Sequence, residues 1–527
     1  MHDAHAAEAP LDRTTYERRW AILAVLCTSL MIVIIGNTAL NVALPTLAAD
    51  LQASTTDLQW MVDSYALVFA GMLFTAGTLG DRFGRKGALQ AGLGLFLVGT
   101  TLAAIGDSAT TVIGSRALMG LAAAFVMPST LSILTNVFPA HERPKAIALW
   151  AGISGGGAAL GPVASGFLLE HFWWGSVFLV NVPVIILALI AGKVLVPTSR
   201  DPEQPPLDIP GAALSIVGLG TLVYGIIEGP LHGWTSTSTL TTFAIAAVAI
   251  GLFVRRELHT THPMLDLRLF KDRRFSVSSL GMTLTFFAMF GTFFLAAQYL
   301  QLVLGYGPLE SGLFQLPMAA VMMALSPFVP KVIARHGAAR VVPVGLGFVA
   351  LGLFTFSLMG VDTALWWVYV PIMSLAVGMA FTMAPLTTLI MSSVPLSKAG
   401  VGSAMNDTTR ELGGALGVAV LGSLVTSTYS SSIADAISGL GGGDQSVARS
   451  GLTGALQVAK DLGASGAPLI DTAKQAFVDG LGNAAIVGAV IVALAAVASA
   501  RLLPKTHNEM GTDEAPVDVE EPVLASV

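Results

Sequence analysis

The chain is 527 residues long, with 54% hydrophobic and 11% charged residues and a mean hydropathy of +0.73. Soluble proteins carry roughly 25% charged residues, and a soluble domain cannot bury this much apolar surface, so the composition excludes a soluble enzyme and a disordered protein. The formal net charge of −6, without a long basic run, argues against nucleic-acid binding, and the single cysteine, Cys27, allows neither an internal disulfide nor a structural zinc site.

Fourteen apolar stretches are long enough to cross a bilayer, for which a helix needs about 20 residues. They predict an all-α integral membrane protein with fourteen transmembrane helices. We place spans 1 to 14 at residues 20–44, 58–79, 87–106, 110–135, 144–168, 175–196, 209–228, 237–254, 275–303, 309–331, 341–361, 365–391, 399–428 and 480–503.

The Lys and Arg residues fall mainly on one side of these spans. Arg82, Arg85 and Lys86 follow span 2, for example, whereas the short loops on the other side carry acids such as Asp107. By the positive-inside rule the basic side is cytoplasmic, and the even number of spans then places both termini there. Ala and Gly are abundant and Arg exceeds Lys, as in GC-rich bacterial genomes, so we expect a multi-pass protein of a bacterial cytoplasmic membrane.

Spans 1 to 6 and 9 to 14 are expected to form two related halves, with spans 7 and 8 as an inserted pair. A weak repeat supports two related halves, because Arg82 and Gly84 after span 2 match Arg335 and Gly337 after span 10. A chance match of short basic turns is the alternative. The predicted parts are a cytoplasmic tail 1–19, the first bundle 20–196, a linker with spans 7 and 8 at 197–274, the second bundle 275–503 with an extracellular loop 429–479, and a cytoplasmic tail 504–527.

The strongest motif follows span 2 and reads GTLGDRFGRK. Its glycines permit a tight turn, its acid can face a helix N-terminus and its basic side chains a helix C-terminus. The motif resembles the loop signature of the major facilitator superfamily, which implies a latch that stabilises one end of the transport cycle. A plain topogenic loop would explain only the basic residues. The latch residues are Gly77, Asp81, Arg82, Gly84, Arg85 and Lys86.

Two charged residues in spans 2 and 4 are candidates for proton coupling, because charge inside a membrane is costly. Asp63 lies in an apolar run beside Trp60 and Tyr65, where an acid can exchange protons with a substrate; the alternative is an acid that caps the outer end of its helix. Arg116 lies in RALMG, which resembles a family signature whose arginine is implicated in proton coupling. The alternative is an arginine near the outer end that snorkels to the surface.

Span 13 carries three charges within five residues. Asp407 and Glu411 are four residues apart and share a helix face, and Arg410 neighbours both. A proton or cation site is the sharper hypothesis. An ion pair between Arg410 and one of the acids is the alternative.

Span 5 is rich in small residues around Gly157, Gly161, Pro162 and Gly166. Small residues let helices approach closely, and proline bends a helix. The stretch resembles the antiporter signature of drug exporters, although Ser165 replaces one usual glycine. Generic small-residue packing is the alternative.

Aromatic and Met side chains in spans 9 and 10 suit an apolar pocket of broad specificity. Most of them are expected to face lipid or to pack against other helices. The weak candidates for a substrate pocket are Asn37, Asn41, Trp60, Tyr65, Phe290, Gln298 and Met322.

Together these residues resemble the fourteen-span drug:proton antiporters of the major facilitator superfamily, and within them the QacA/EmrB-like multidrug efflux proteins, over nearly the whole chain. Two positions depart from that group, which often carries acids where this chain has Gly36 and Met322. Fewer acids in the membrane weaken any claim to divalent cations and favour lipophilic monocations or neutral antibiotics as substrates.

The resemblance implies proton-coupled efflux of lipophilic, mainly cationic, drugs, dyes or antiseptics by alternating access. The expected partners are these small molecules, protons and the lipid bilayer, with no nucleic acid, and we expect a monomer. We expect no enzyme, cofactor or metal, since neither a phosphate-binding GxxxxGK[ST] loop nor an HExxH motif is present. The alternatives are a dedicated exporter of one antibiotic or metabolite and, in another class, a non-transporting membrane scaffold or sensor.

Overall fold

The computed structural model describes residues 13–139, 142–199, 208–261, 263, 265–394 and 399–503. Within them the regular secondary structure is helical and no strand is present. Thirteen of the described helices are long and apolar enough to cross a membrane, and helix Arg143–His171 occupies the place of the remaining predicted span. The prediction of an all-α membrane protein is thereby confirmed.

The helices follow the predicted order of spans. Spans 1 to 8 are Arg13–Asp50, Thr55–Phe83, Arg85–Ile105, Ala109–Val137, Arg143–His171, Ser176–Leu179 with Asn181–Leu195, Ile209–His232 and Thr237–His259. A 3-10 helix at Leu267–Lys271 precedes span 9. Spans 9 to 14 are Arg273–Gln298 with a π-helical end at Tyr299–Val303, the three pieces Pro308–Leu313, Leu316–Leu325 and Val329–His336, then Ala338–Phe356, Leu365–Ser392, Ala399–Ser432 and Ala467–Leu502.

Several predicted boundaries are wrong because helices continue into polar sequence beyond the apolar runs. Span 1 begins at Arg13, so residues 13–19 are helical, and Arg19 holds Glu142 through two hydrogen bonds of 2.7 and 3.1 Å. The predicted loop 429–479 is largely helical, since span 13 runs to Ser432 and span 14 begins at Ala467. Short helices lie between them at Ala434–Ile437, Gly442–Arg449, Leu452–Asp461 and Gly463–Gly466.

Span 10 is broken rather than continuous. Each of its three pieces has a proline within its first two positions, namely Pro308, Pro317 and Pro330. Proline is tolerated at the start of a helix, where its missing N–H costs no hydrogen bond, but not in the interior. The prolines therefore divide the span into short helices.

The two ends of the molecule differ in their connections. We call the end that carries Gly84 the latch end and the opposite end, which carries residues 433–466, the loop end. Spans 1 to 6 pack against one another, spans 9 to 14 form a second group, and the hairpin of spans 7 and 8 rests on spans 2 and 13. This packing supports the predicted division into two six-helix halves with an inserted pair.

The halves contact each other at the loop end. The Gln59 side chain donates to the carbonyls of Val418 and Ala419 in span 13, both at 3.1 Å. The Gln301 side chain donates to the Val42 carbonyl at 2.9 Å. Side chains and backbone thus tie span 2 to span 13 and span 1 to span 9, which closes the molecule at this end.

The two sequence-matched glycines adopt similar left-handed conformations. Gly84 has φ 121° and ψ 123°, and Gly337 has φ 78° and ψ 149°. Each ends one helix and directly precedes the next, a conformation that L side chains adopt only with strain. The shared geometry supports the predicted repeat. The turn is also shorter than the motif predicts. Span 2 remains helical through Phe83, and Gly84 alone separates it from span 3.

Candidate functional site

Asp63 is completely buried, at 0% exposure, two turns inside span 2. It does not cap the helix, since Ser54 and Asp57 form the capping box at that terminus. Among the described residues neither carboxyl oxygen of Asp63 has a hydrogen-bond partner. The alternative of an outer-end acid that caps the helix is therefore wrong.

Asp63 faces the contact between the two halves. One turn before it, Gln59 bonds to span 13, and one turn after it, Ala66 and Leu67 pack against Ala415 and Ala419 of span 13 and against span 7. Residues three and four apart share a helix face. The unpaired carboxyl therefore lies in the apolar contact of spans 2 and 13.

Arg116 is also at 0% exposure and joins three spans through neutral acceptors. Its guanidinium donates to the carbonyls of Met61 and Gly36 and to Oδ1 of Asn37, each at 3.0 Å, and lies 4.3 Å from the centre of the Tyr65 ring. These contacts hold the cation inside the protein, so the snorkelling alternative is wrong.

The three charges of span 13 remain partly accessible, in contrast to Asp63. Arg410 and Asp407 approach to 3.7 Å, with 36% and 22% of their side chains exposed. The Asn406 side chain donates to Asp407 at 3.4 Å, and the Arg410 guanidinium lies 4.7 Å from the Phe286 ring centre. The predicted alternative of a structural ion pair is therefore realised for Arg410 and Asp407. Arg410 and Asp407 thus reach the accessible surface of the described part of the protein, whereas Asp63 does not.

Glu411 lies between the other charges of span 13 and Arg116 of the first half. It interacts electrostatically with Arg410 and Asp407 on its own helix and with Arg116 of the first half. In the described part of the chain no cation lies within salt-bridge distance of it. The structure thus groups Arg116, Tyr65 and the span 13 charges, and it leaves Asp63 apart from them.

The candidate pocket residues divide into two sets. Asn37, Tyr65 and Phe290 lie with the charged groups, because Asn37 and Tyr65 contact Arg116 and Phe290 stacks on Phe286, 6.1 Å away, beneath Arg410. Met322 in span 10 is half-buried.

The other pocket candidates have structural surroundings. Trp60 lies against Tyr224 of span 7, with ring centres 5.9 Å apart, on the side of the inserted hairpin. Gln298 is buried and donates to the carbonyl of Phe294. Asn41 is buried, and its Oδ1 has no partner among the described residues.

Span 5 packs on both halves through its small residues. A Cβ on Gly157 would meet Met31 and Ile34 at 3.5 Å, and Gly161 touches Thr38, so this face follows span 1. Gly166 approaches the second half, where an added Cβ would come within 2.6 Å of the Leu309 Cα. The signature glycines thus allow close contacts of span 5 with span 1 and with span 10.

The latch residues are placed around the turn at Gly84. Lys86 donates to the carbonyl of Lys193 at 2.8 Å, in the last turn of span 6, as expected of a cation at a helix C-terminus. The Arg82 guanidinium lies 5.5 Å from the Phe83 ring centre, and the Arg85 N–H donates to the Ser199 carbonyl. Gly77 packs near Pro128 of span 4, and the side chain of Asp81 lies outside the described residues.

Two features near the site escaped sequence reasoning. Gln59 ties the halves together, and only its polar nature within an apolar span hinted at a role. Gly120 lies against the Tyr65 carbonyl, so it sets the distance between spans 2 and 4 beside Arg116.

A separate polar groove of 1010 Å³ opens at the loop end of the second half. It is lined by Asp362, Asp471, Lys474 and Asp479 among others. It includes none of the predicted site residues.

Sequence relatives agree with this architecture. The chain is 39% identical over 489 residues to the multidrug efflux pump LfrA of Mycolicibacterium smegmatis, covering 92% of this chain and 97% of that protein. It is 34% identical to the methyl viologen resistance protein SmvA of Salmonella typhimurium, covering 88% and 93%. It is 35% identical to the tetracenomycin C resistance and export protein of Streptomyces glaucescens, covering 78% and 76%.

Solved structures show the same fold. A bacterial homologue of the human lysosomal transporter Spinster, inward-facing and unoccupied, aligns with a TM-score of 0.65 at 17% identity over 92% of this chain and 97% of that one. The inward-open xylose transporter XylE of E. coli aligns with a TM-score of 0.56 at 14% identity over 93% and 98%. The model of the Major Facilitator Superfamily matches residues 26–418. The chain therefore belongs to the major facilitator superfamily.

Proposed function

We propose that this protein exports lipophilic, mainly cationic, drugs, dyes or antiseptics in exchange for protons. The carrying observation is Asp63, a buried carboxyl without partners in the contact that closes the loop end. An ionised carboxylate buried without a partner costs several kcal/mol. Closure of the loop end is therefore compatible with protonated Asp63 and is opposed by its ionised form.

Alternating access follows from this dependence. With the latch end cytoplasmic, as the basic residues predict, the structure is closed to the outside. A proton taken up by Asp63 from the outside permits this closure, and substrate then enters from the cytoplasm. The accessible Asp407 and Glu411, beside Phe286 and Phe290, supply negative charge and aromatic surface for a lipophilic cation. Loss of protons from the acids reopens the loop end.

Arg116 and the latch have supporting roles in this proposal. Arg116 holds spans 1, 2 and 4 together and interacts electrostatically with Glu411. A change in the charge of Glu411 therefore changes the force on Arg116 and on the three spans that it joins. The latch turn at Gly84, with Lys86 bonded to span 6, holds the cytoplasmic end of the first half together. We further propose a monomer in a bacterial cytoplasmic membrane, with both termini in the cytoplasm.

Transport by reconstituted vesicles with an imposed pH gradient tests the proposal, with ethidium as the substrate. We expect Asp63→Asn to abolish gradient-driven flux, because the amide cannot exchange protons. The same variant should also lose ethidium exchange between the two sides without a gradient, since Asn resembles the protonated acid and keeps the loop end closed. Asp57→Asn, at the helix cap of the same span, is the matched control and should keep gradient-driven flux. Normal gradient-driven flux in Asp63→Asn would refute the role of this acid.

A dedicated exporter is the second candidate. It is favoured by the relative named as a tetracenomycin C resistance and export protein. Absence of ethidium flux in the wild-type protein, together with gradient-driven flux of tetracenomycin C, would favour this candidate. Absence of flux for both substrates would favour a non-transporting scaffold or sensor.

A further inference from the structure

Two buried carboxyl groups meet at the latch end of the inserted hairpin. Asp208 directly precedes span 7 and has 4% of its side chain exposed, and Glu257 near the end of span 8 is 3% exposed. Asp208 Oδ1 accepts the Gly211 N–H at 2.9 Å and the Arg256 Nε–H at 2.7 Å. Glu257 Oε2 accepts the Leu265 N–H at 2.8 Å, which fastens the connection after span 8 to that span.

The remaining oxygens of the two carboxyl groups face each other above Gly211. A Cβ on Gly211 would lie 2.6 Å from Asp208 Oδ2 and 2.7 Å from Glu257 Oε1. Both atoms are buried, and neither receives a hydrogen bond from a protein donor in the described chain. Two ionised carboxylates cannot donate to each other and would repel, whereas one shared proton satisfies both oxygens.

The surroundings decide which group holds the proton. Burial raises the pKa of Asp208, but the hydrogen bonds from Gly211 and Arg256 outweigh it and hold that pKa below its usual range. Asp208 is therefore the ionised acceptor and Glu257 the donor. Among the described residues, Arg256 is the other charged group that acts on the pair. His259 is exposed and bonds to the Arg255 carbonyl, and Asp266 accepts the Arg268 N–H within the connection itself.

We propose that Asp208 and Glu257 form a shared-proton site, which clamps the connection between spans 8 and 9 onto the inserted hairpin. The site is separate from the proposed transport acids, and the proposal does not depend on transport. The connection leads into the second half, since Leu269 of the 3-10 helix packs against the core. Rising pH removes the shared proton, so the hydrogen bond between the two carboxyl groups is lost and the two carboxylates repel. Asp208 is then displaced from Glu257, and the cap that Asp208 makes to the Gly211 N–H loosens.

Hydrogen–deuterium exchange of the full-length protein in lipid nanodiscs tests the site without any substrate. The measured quantity is the protection of the peptide that contains Gly211, whose N–H is bonded to Asp208, corrected for the intrinsic pH dependence of exchange. Buried glutamates titrate over the range from about pH 5 to about pH 9. We expect wild-type protection to fall about tenfold across this range, as one hydrogen bond to a charged group is lost.

Two variants and their controls separate the site from other titrating groups. Glu257→Gln keeps a donor toward Asp208 and an acceptor for Leu265, so its protection should stay high and independent of pH. Asp272→Asn, which caps span 9 on the same connection, should keep the wild-type pH dependence. Gly211→Ala wedges the carboxyl groups apart and should lower protection at every pH, whereas Gly220→Ala, whose Cβ meets nothing within 4 Å, should not.

The outcomes are distinct. A pH dependence that disappears in Glu257→Gln and persists in Asp272→Asn supports the shared-proton site. The same pH dependence in Glu257→Gln and in the wild type would overturn it and assign the titration to another group, such as a histidine of the connection. Protection in the wild type that does not change with pH would also overturn it.

Discussion

Charged residues inside the spans differ in what surrounds them, and their surroundings separate their roles. Asp63 is buried without a partner, and Arg116 is buried with three neutral acceptors. Asp407 and Arg410 are partly exposed and close to each other. A proton-coupling group must change the stability of its surroundings when it gains or loses a proton. Asp63 meets this requirement, because its ionised form is costly in the closed contact around it. Arg116, satisfied by neutral oxygens, is suited to hold helices in place.

Replacement of Arg116 tests that structural role. Arg116→Lys keeps the charge but cannot reach Met61, Gly36 and Asn37 at once, so one or two acceptors lose their donor. Each unsatisfied buried group costs about 1–3 kcal/mol. We expect a lower melting temperature in detergent and strongly reduced gradient-driven flux. Arg449→Lys, at an exposed position, is the control and should leave both unchanged. An unaltered melting temperature in Arg116→Lys would show that these three bonds do not stabilise the bundle.

Helix contacts at the element scale depend on glycines in two ways. Gly84 and Gly337 are needed for their backbone conformation, and Gly166 is needed for the space that a side chain would fill. The two requirements predict different consequences of substitution. A conformational glycine affects stability, whereas a contact glycine between the halves affects the balance of conformations.

At the turns, Gly84→Ala and Gly337→Ala should each lower stability. A non-glycine residue in this region of φ and ψ costs about 1–3 kcal/mol. Gly87→Ala is the matched control, because it lies inside span 3 and an added Cβ meets nothing within 4 Å. Thermal unfolding of the three purified variants checks this. Equal melting temperatures for Gly84→Ala and Gly87→Ala would contradict the expectation.

Between the halves, Gly166→Val should open the loop end. The added side chain would collide with Leu309 and push span 5 away from span 10. Spin labels on cysteines at positions 173 and 366, both exposed at the loop end, should report a longer distance in a Cys27→Ser background. Gly114→Val, at a position with free space on span 4, is the control. An unchanged distance distribution in Gly166→Val would mean that this contact does not hold the loop end closed.

At the scale of the whole molecule, the proposed alternating access requires a second state in which the loop end is open. The halves are tied by Gln59 to span 13 and by Gln301 to span 1, both at the loop end. The structures that this chain resembles include inward-facing transporters. Transport by alternating access requires these ties to break once in each cycle.

A reversible cross-link tests whether the loop end must open. Cysteines at positions 42 and 301, in a Cys27→Ser background, join spans 1 and 9 where Gln301 contacts Val42. We expect oxidation to abolish transport and reduction to restore it, because the halves can no longer separate at this end. A link between positions 64 and 113, within the first half, is the control and should permit transport. Transport that continues after complete cross-linking of 42 to 301 would refute opening at this contact.

The predicted spans agree with the structure wherever a helix coincides with an apolar run. Spans 2, 3 and 4 begin and end within a few residues of their predicted limits. Hydropathy reports only the part of a helix that meets lipid, so it missed the polar start of span 1 and the early start of span 14 at Ala467. The break of span 10 was visible in its prolines, but an apolar run alone does not reveal it.

The candidate site was predictable as a set of residues but not as an arrangement. Asp63, Arg116 and the span 13 charges stand out in the sequence, because lipid-embedded charge is costly wherever it occurs. Their positions along the chain do not tell how far apart spans 2, 4 and 13 lie in the folded protein. Only the packed bundle shows that Asp63 faces span 13 and does not lie with Arg116. It alone also shows that Asp208 and Glu257 lie together above Gly211.

The amino-acid sequence by itself determined that the chain crosses a membrane with many helices, which end carries the positive charge, and which superfamily it resembles. These properties depend on composition, on local periodicity and on short motifs, each contained within one stretch of chain. Tertiary structure decided which charges are paired, which are buried alone and at which end the halves touch. Those properties depend on contacts between helices far apart in sequence, and burial and pairing exist only once the helices have packed.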